Sequence, residues 1–283
     1  MSKIILVAET GSDISKEVAK AYGIYMVPMH VTFGDKTVDD MTFPAEDIVK
    51  YYKETGKTPK TSGCNPQDFD IFNEIHEKYP DSHILYLAYS AVTTCSYQSA
   101  AIMADGRDFI TLMDTRQVSA GQGAVVLAVA RYLKEYPEAN ILEVISYANE
   151  MIDRARMCFI PNNLEFLRAG GRVSNVAYLG ATILNLHPTI EILEGKLVAT
   201  KKYRGKMSRI CAKLLREYTE KYNLDRDILH LGYTVGLSDE VKELVKQQAI
   251  DLGFKEINWV QCNAVITTHG GPGAFGFAGF TKK

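Results

Sequence analysis

Toward its carboxyl end the chain reads Thr267-Thr268-His269-Gly270-Gly271-Pro272-Gly273-Ala274, one histidine set among glycines and a proline. Glycine lets backbone approach a ligand closely, and a histidine supplies a donor or acceptor that titrates near neutral pH. In Leu167-Arg168-Ala169-Gly170-Gly171-Arg172-Val173-Ser174, Arg172 follows a glycine pair suited to ending a helix. A guanidinium so placed can pair bidentately with a carboxylate or phosphate, although an ordinary surface ion pair there contributes little. Four more segments are rich in small hydroxyls and follow apolar runs: Glu9-Thr10-Gly11-Ser12-Asp13, Thr61-Ser62-Gly63-Cys64-Asn65-Pro66, Ser90-Ala91-Val92-Thr93-Thr94-Cys95-Ser96 and Asp114-Thr115-Arg116-Gln117. Their hydroxyls, with backbone N–H groups at helix starts, can bind an anionic head group. Taken singly, Ser12, Thr94 and Ser119 are equally suited to cap helices, the commoner job of such residues.

Other chemistry fails on spacing or context. Gly56-Lys57-Thr58 has the end of a phosphate loop, but Tyr51 stands where its first glycine must be. Gly271-Pro272-Gly273-Ala274-Phe275-Gly276 fits G-x-G-x-x-G, yet too little chain follows for the helix, strand and acidic residue of a dinucleotide site. No G-x-S-x-G or H-E-x-x-H motif occurs. The six histidines are scattered and Cys64, Cys95, Cys158, Cys211 and Cys262 form no C-x-x-C pair, so no metal is assigned.

The loops need a scaffold. Apolar or β-branched runs at Ile4–Ala8, Tyr25–Phe33, Ile84–Ala88 and Phe109–Met113 predict buried strands. Helical patterns near Ser15–Tyr22, Ala45–Thr55, Gln67–Tyr79 and Cys95–Asp105 alternate with them, as in an α/β domain with a largely parallel sheet. Helices Val118–Tyr136 and Ile141–Arg154 follow. The second half opens with Met157–Pro161, a short helix ending at Gly170-Gly171, and a helix through Val176–Leu184. Strands Thr189–Leu193 and Leu197–Tyr203 follow as a hairpin turning at Gly195, then helix Met207–Tyr222, strand Ile228–Val235, helix Asp239–Leu252 and strand Glu256–Val260. The expectation is two α/β domains, residues 1–155 and 156–283, with a ligand site at their interface.

Of 283 residues, 46% are hydrophobic and 23% charged, which excludes disordered and low-complexity classes. Lysine and arginine total 32 against 34 acidic residues, without terminal blocks of like charge, which disfavours a nucleic-acid partner. Ile4–Ala8 stops at Glu9, too short for a signal peptide, and the longest apolar run, Ala124–Ala130, falls short of a bilayer span. With an odd number of scattered cysteines, the expected location is a reducing cytoplasm.

In this order, the loop after the first strand, Thr61-Ser62, the hydroxyl loop ending Tyr97-Gln98-Ser99-Ala100, Asp114-Thr115 leading to Gly121 and Gly123, the Arg168–Arg172 loop, the Lys202–Arg204 segment and His269-Gly270-Gly271-Pro272-Gly273-Ala274 resemble the DegV family of bacterial fatty-acid-binding proteins. The resemblance covers nearly the whole chain. It implies two α/β domains enclosing one fatty acid, with its carboxyl at their interface and its tail in the second domain. It also implies that the chain is the acyl-carrying subunit of fatty acid kinase, not the kinase. A separate ATP-dependent subunit would dock and phosphorylate the carboxylate to an acyl phosphate. Membrane contact would be transient, without a span, and the fatty acid is a ligand, no cofactor being implied. Carried over residue by residue, Thr61, Ser62, Thr94, His269 and Gly270 would hold the head group, with Arg172 nearby, and Arg204 and His269 would face the docking partner or the phosphoryl transfer.

The chain departs from the family pattern where Ser90–Ser96 replaces Ser-Ser-Gly-Leu-Ser-Gly-Thr, at Gly63-Cys64 in place of Gln-Pro, and at Glu9 in place of aspartate. Val92 and Cys95 do not suit the positive φ that glycine allows. For the tail, Phe159, Ile160, Phe166, Leu167, Ile183, Leu184 and Ile190 are the candidates, each equally suited to ordinary core. The alternative is a small-molecule hydrolase or transferase with His269 as general base and Thr94 or Ser62 as nucleophile. That reading requires an acid, Glu9 or Asp114, to orient the histidine.

Overall fold

In a computed structural model, residues 3–173, 175 and 186–283 are described. The elements run β1 (Ile4–Glu9), α1 (Lys16–Tyr22), β2 (Tyr25–Val27), β3 (His30–Phe33), β4 (Lys36–Asp39), α2 (Glu46–Thr55), β5 (Lys60–Ser62), α3 (Ile71–Lys78), β6 (His83–Ala88), α4 (Ser96–Ala104), β7 (Ile110–Asp114), α5 (Ser119–Glu135) and α6 (Ile141–Arg154). They continue with β8 (Ala155–Ile160), α7 (Glu165–Gly170), β9 (Leu186–Leu193), β10 (Lys196–Arg204), α8 (Met207–Lys221), β11 (Ile228–Tyr233), α9 (Asp239–Asp251), β12 (Glu256–Gln261), α10 (Ala264–Gly270) and β13 (Phe275–Phe280). The helix expected through Val176–Leu184 lies outside the described residues, as do Ile183 and Leu184.

Three sheets result: a parallel β2-β1-β6-β7, a mixed β10-β9-β8-β13-β11-β12 and a small antiparallel β4-β3-β5. The mixed α/β class expected from the alternation is the class observed. The run Tyr25–Phe33 is not one strand: β2 joins the parallel sheet and β3 the small one. Pro28, which has no N–H for a ladder, stands at the break, and the Met29 N–H is taken by Thr10 Oγ1 at 3.0 Å. The β9–β10 hairpin turns at Gly195 with φ 78°, as expected.

The glycine-rich end of the chain holds two unexpected elements. Residues 264–270 form α10, so His269 lies in the last turn of a helix and not in a loop. Phe275–Phe280 forms β13 between β8 and β11. Phe275 and Phe277 join one buried cluster with Leu214, Leu229 and Val245, while Ala278 and Phe280 join another with Met157 and Ile190. This is the period-two alternation of a strand covered on both faces, disguised by Gly276 and Gly279.

Candidate ligand-binding site

A partly open cavity lies between the loops beyond the first sheet and one face of the mixed sheet. On the sheet face, Phe159, Gly276 and Gly232 are lateral neighbours on β8, β13 and β11, and all three line the cavity. Two adjacent residues without side chains leave a trough beside the Phe159 ring. Met29, Val118, Ala120, Met157, Leu197 and Val265 supply further apolar wall.

Polar groups arrive from separate loops. Thr61, Ser62, Thr94, Arg172, His269 and Gly270, the residues expected at the head group, all line this cavity. Thr61 Oγ1 and His269 Nε2 are 2.7 Å apart, joining β5 to α10 across 208 residues. His269 Nδ1 is out of contact with solvent and has no hydrogen-bond partner among the described residues. It packs on Gly170, where a Cβ would stand 2.2 Å from it, so only glycine fits at the end of α7. Burial first, and then the charge of Arg172, bring the His269 pKa down to about 4, leaving a neutral imidazole at pH 7. Arg172 donates to the carbonyls of Thr93 (3.3 Å) and Gly170 (2.9 Å). Among the described residues it has no carboxylate partner.

The divergent loop reaches the cavity by a compensating fit. Neither Val92 nor Cys95 has positive φ, and Cys95 is right-handed with φ −82°. A Cβ on Gly63 would stand 2.0 Å from Thr94 Oγ1 and 2.8 Å from Ser96 Oγ. Thr94 therefore occupies room that a side chain at position 63 would fill. Ser12 and Ser119 provide no side-chain N-cap to the α-helices that follow them, whereas Thr94 Oγ1 accepts the Ser96 N–H at the start of α4 at 3.4 Å. Ser15 caps α1, and Ser119 instead donates to Asp13 at 2.5 Å.

Buried carboxylates brace the wall, which the sequence reading missed. Glu9 receives Tyr86 Oη–H, the Tyr89 N–H (3.0 Å) and Gln122 Nε2–H (2.6 Å). Asp13 receives Ser119 Oγ–H and, from the far half of the chain, the Asn263 N–H at 2.7 Å. Burial raises both carboxyls to about 7 against these hydrogen bonds. Asp40 accepts the Val265 N–H at 3.3 Å, and its carboxyl is also raised by burial. Asp13 and Asp40 thus fix the start of the helix that carries His269. Their only sequence signal was position after or near a strand end.

The other residues named from sequence fall elsewhere. Of the described tail candidates only Phe159 lines the cavity. Ile160 takes the opposite face of β8 and is fully buried with Leu215 and Leu231. Its phase follows from strand alternation, which the sequence could not orient. Phe166 is buried against Tyr52, with ring centroids 4.8 Å apart. Leu167 and Ile190 belong to the core. Arg204 is exposed at the end of β10, outside the cavity lining. Among the described residues, Glu9 and Asp114 accept hydrogen bonds from Tyr86, Tyr89, Gln122, Ala91 and Arg116, and none from His269. The acid that the hydrolase reading requires is therefore missing from His269 among the described residues.

These features define a mixed α/β protein with an apolar cavity polar at one end. The chain belongs to the DegV family, whose model, described as "Uncharacterised protein, DegV family", matches residues 3–282. A DegV domain-containing protein of Caldanaerobacter subterraneus is 28% identical over 98% of each chain. A Thermotoga maritima relative named fatty acid-binding protein is 28% identical over 97% of this chain and 96% of its own. The solved structure titled "Fatty Acid Binding of a DegV family Protein from Thermus thermophilus" is 25% identical, covers 99% of this chain and 100% of its own, and superposes with a TM-score of 0.87.

Proposed function

We propose that this chain binds one long-chain fatty acid, with its carboxylate among Thr61, Ser62, Thr94, Arg172, His269 and Gly270 and its tail along the Gly232–Gly276 trough. The observation that carries this reading is the Thr61–His269 pair at the polar end of an otherwise apolar cavity. The fatty-acid-binding names of two relatives support it. Burial of ~16 carbons at ~0.8 kcal/mol each gains roughly 12 kcal/mol, of which association consumes several. A carboxylate taken from water must recover its hydration through donors.

The neutral histidine suits that task. An orphaned buried N–H is rarer than an orphaned lone pair, so the proton is best placed on Nε2, donating to Thr61 Oγ1. The Thr61 hydroxyl is then free to donate to the ligand, and Arg172, without a carboxylate partner among the described residues, supplies positive charge at the same end. In this reading the chain is the lipid-binding subunit of a kinase system. An ATP-dependent partner, docking near exposed Arg204 and His269, makes the acyl phosphate. Domains 1–155 and 156–283, a cytoplasmic location and transient membrane contact complete the proposal.

The test is to purify the protein, denature it and identify the organic-soluble ligand by mass spectrometry. One fatty acid per chain is expected. A protein that comes out empty and takes up no added fatty acid refutes the reading.

A further inference from the structure

Two cysteines from different loops meet at the rim of the polar end. Cys95 is exposed and precedes α4, while Cys64 is fully buried beyond β5. Cys95 Sγ lies 3.8 Å from the Cys64 carbonyl oxygen. It is also 3.3 Å from where a Cβ on Gly63 would stand. The exposed sulfur thus lies directly over the Gly63–Cys64 backbone. Ser96 Oγ accepts the Cys64 N–H at 3.1 Å, tying the two loops together beside it. Both cysteines stand at positions where the chain departs from the family pattern.

We propose that Cys64 and Cys95 are a peroxide-oxidised thiol pair whose disulfide reshapes the polar end of the cavity. The steps balance with hydrogen peroxide as oxidant. Cys95 sulfur attacks one peroxide oxygen, the O–O bond breaks, and Cys95 sulfenic acid and water form. Cys64 sulfur then attacks the sulfenic sulfur, the S–O bond breaks, and the Cys64 proton leaves with the departing hydroxide as a second water. Exposure decides the order: peroxide reaches Cys95, whereas Cys64 is shielded and its thiol is held well above the ordinary range, first by burial and then by the charge of Glu9. A disulfide needs Cα atoms within about 7 Å and Cβ atoms at roughly 3.5–4.5 Å. Cys95 Sγ already lies against the backbone of its proposed partner, 3.8 Å from the Cys64 carbonyl oxygen.

Closing the bond draws Cys95 inward between Thr94 and Ser96, whose hydroxyls are already pressed on Gly63. Thr94 lines the cavity, so the oxidised form offers a different head-group surface. Bond formation does not depend on what the cavity binds; the binding readout rests on the fatty-acid reading.

The experiment treats the full chain with hydrogen peroxide, alkylates remaining thiols under denaturing conditions and maps tryptic peptides. Cys64 lies in the peptide 61–78 and Cys95 in 79–107, so a bond between them joins two separable peptides. The expected result is joint loss of both thiols, one cross-linked species restored to two by dithiothreitol, and trapping of Cys95 as a dimedone adduct in Cys64→Ser. Cys64 remaining alkylatable after Cys95 is oxidised overturns the pair. In parallel, oxidised wild type should bind oleate at least about tenfold more weakly than reduced protein, with no such change in Cys64→Ser. A cross-link that leaves oleate affinity unchanged overturns its effect on the cavity. Failure of the reduced protein to bind oleate counts against the fatty-acid reading and leaves the thiol result to stand or fall by the peptide map.

Discussion

His269 gains its character from its surroundings. Free imidazole is half protonated near pH 6.5, whereas this ring, buried beside Arg172, stays neutral down to about pH 4 and spends Nε2 on Thr61. Thr61→Val should weaken fatty-acid binding by about tenfold to a hundredfold, the range for one hydrogen bond to a charged group, and His269→Ala, which acts by orienting the Thr61 hydroxyl, by a smaller factor, with the circular dichroism spectrum unchanged in both. Equal affinity in both variants would remove these side chains from the head-group site. Asp13 makes a prediction about stability. Its carboxyl titrates at about 7 in the fold against 3.8 ordinarily, so between those values the native state binds more protons than the unfolded chain. The stabilisation this gives is fully present below pH 3.8 and declines as pH rises, by up to about 1.4 kcal/mol per pH unit until about pH 7. Asn at position 13 suits the left-handed φ of 58° and carries no charge to bury. The melting temperature of Asp13→Asn minus that of wild type should therefore climb from pH 5 to pH 8; a flat difference would show that Asp13 does not titrate in this window.

Among the elements, β5 and the loop before α4 interlock through one absent side chain. Gly63→Ala puts a methyl 2.0 Å from Thr94 Oγ1, and overpacking of this kind costs about 1–3 kcal/mol. Thermal unfolding should register that loss, and adding Thr94→Gly should recover most of the stability but not the ligand affinity. A double variant no more stable than Gly63→Ala alone would mean the strain lies elsewhere. Short α10 depends on tertiary anchors: Asp13 and Asp40 take the Asn263 and Val265 N–H groups, and Thr268 Oγ donates to the Ala264 carbonyl at 2.8 Å. The helix carries few local signals, and its residues Thr267, Thr268 and Gly270 have modest helix propensity. That is why the segment reads as a loop from sequence, although the importance of His269 was legible from its glycine-rich setting.

At the scale of the whole molecule, the cavity exists because a mixed sheet presents Gly232 and Gly276 side by side opposite the loops of a parallel sheet. A Cβ at Gly232 would meet Cys262 Sγ and Ala120 Cβ at 3.5 and 3.6 Å, ordinary contacts, so larger side chains there fill space without forcing backbone apart. Gly232→Val should fold and bind long-chain fatty acids less well than wild type, while short-chain acids lose less; calorimetric titration across chain lengths checks this, and a uniform profile would place the tail elsewhere. The α/β class, the first-half alternation of helices and strands and the β9–β10 hairpin were readable from residue order, because periodicity and turn chemistry are local, whereas a shared site for Thr61, Ser62, Thr94, Arg172 and His269 was implied only by the family resemblance. Which face of β8 meets the cavity was not. Phe159 and Ile160 are equally apolar, and only the register of β8 against β13 sends Phe159 to the cavity and Ile160 to the core. The strand β13, hidden behind its glycines, and the carboxylates that brace α10 likewise emerge only in three dimensions. Their roles are set by partners far along the chain, and pairing over such separations leaves no local period in the sequence.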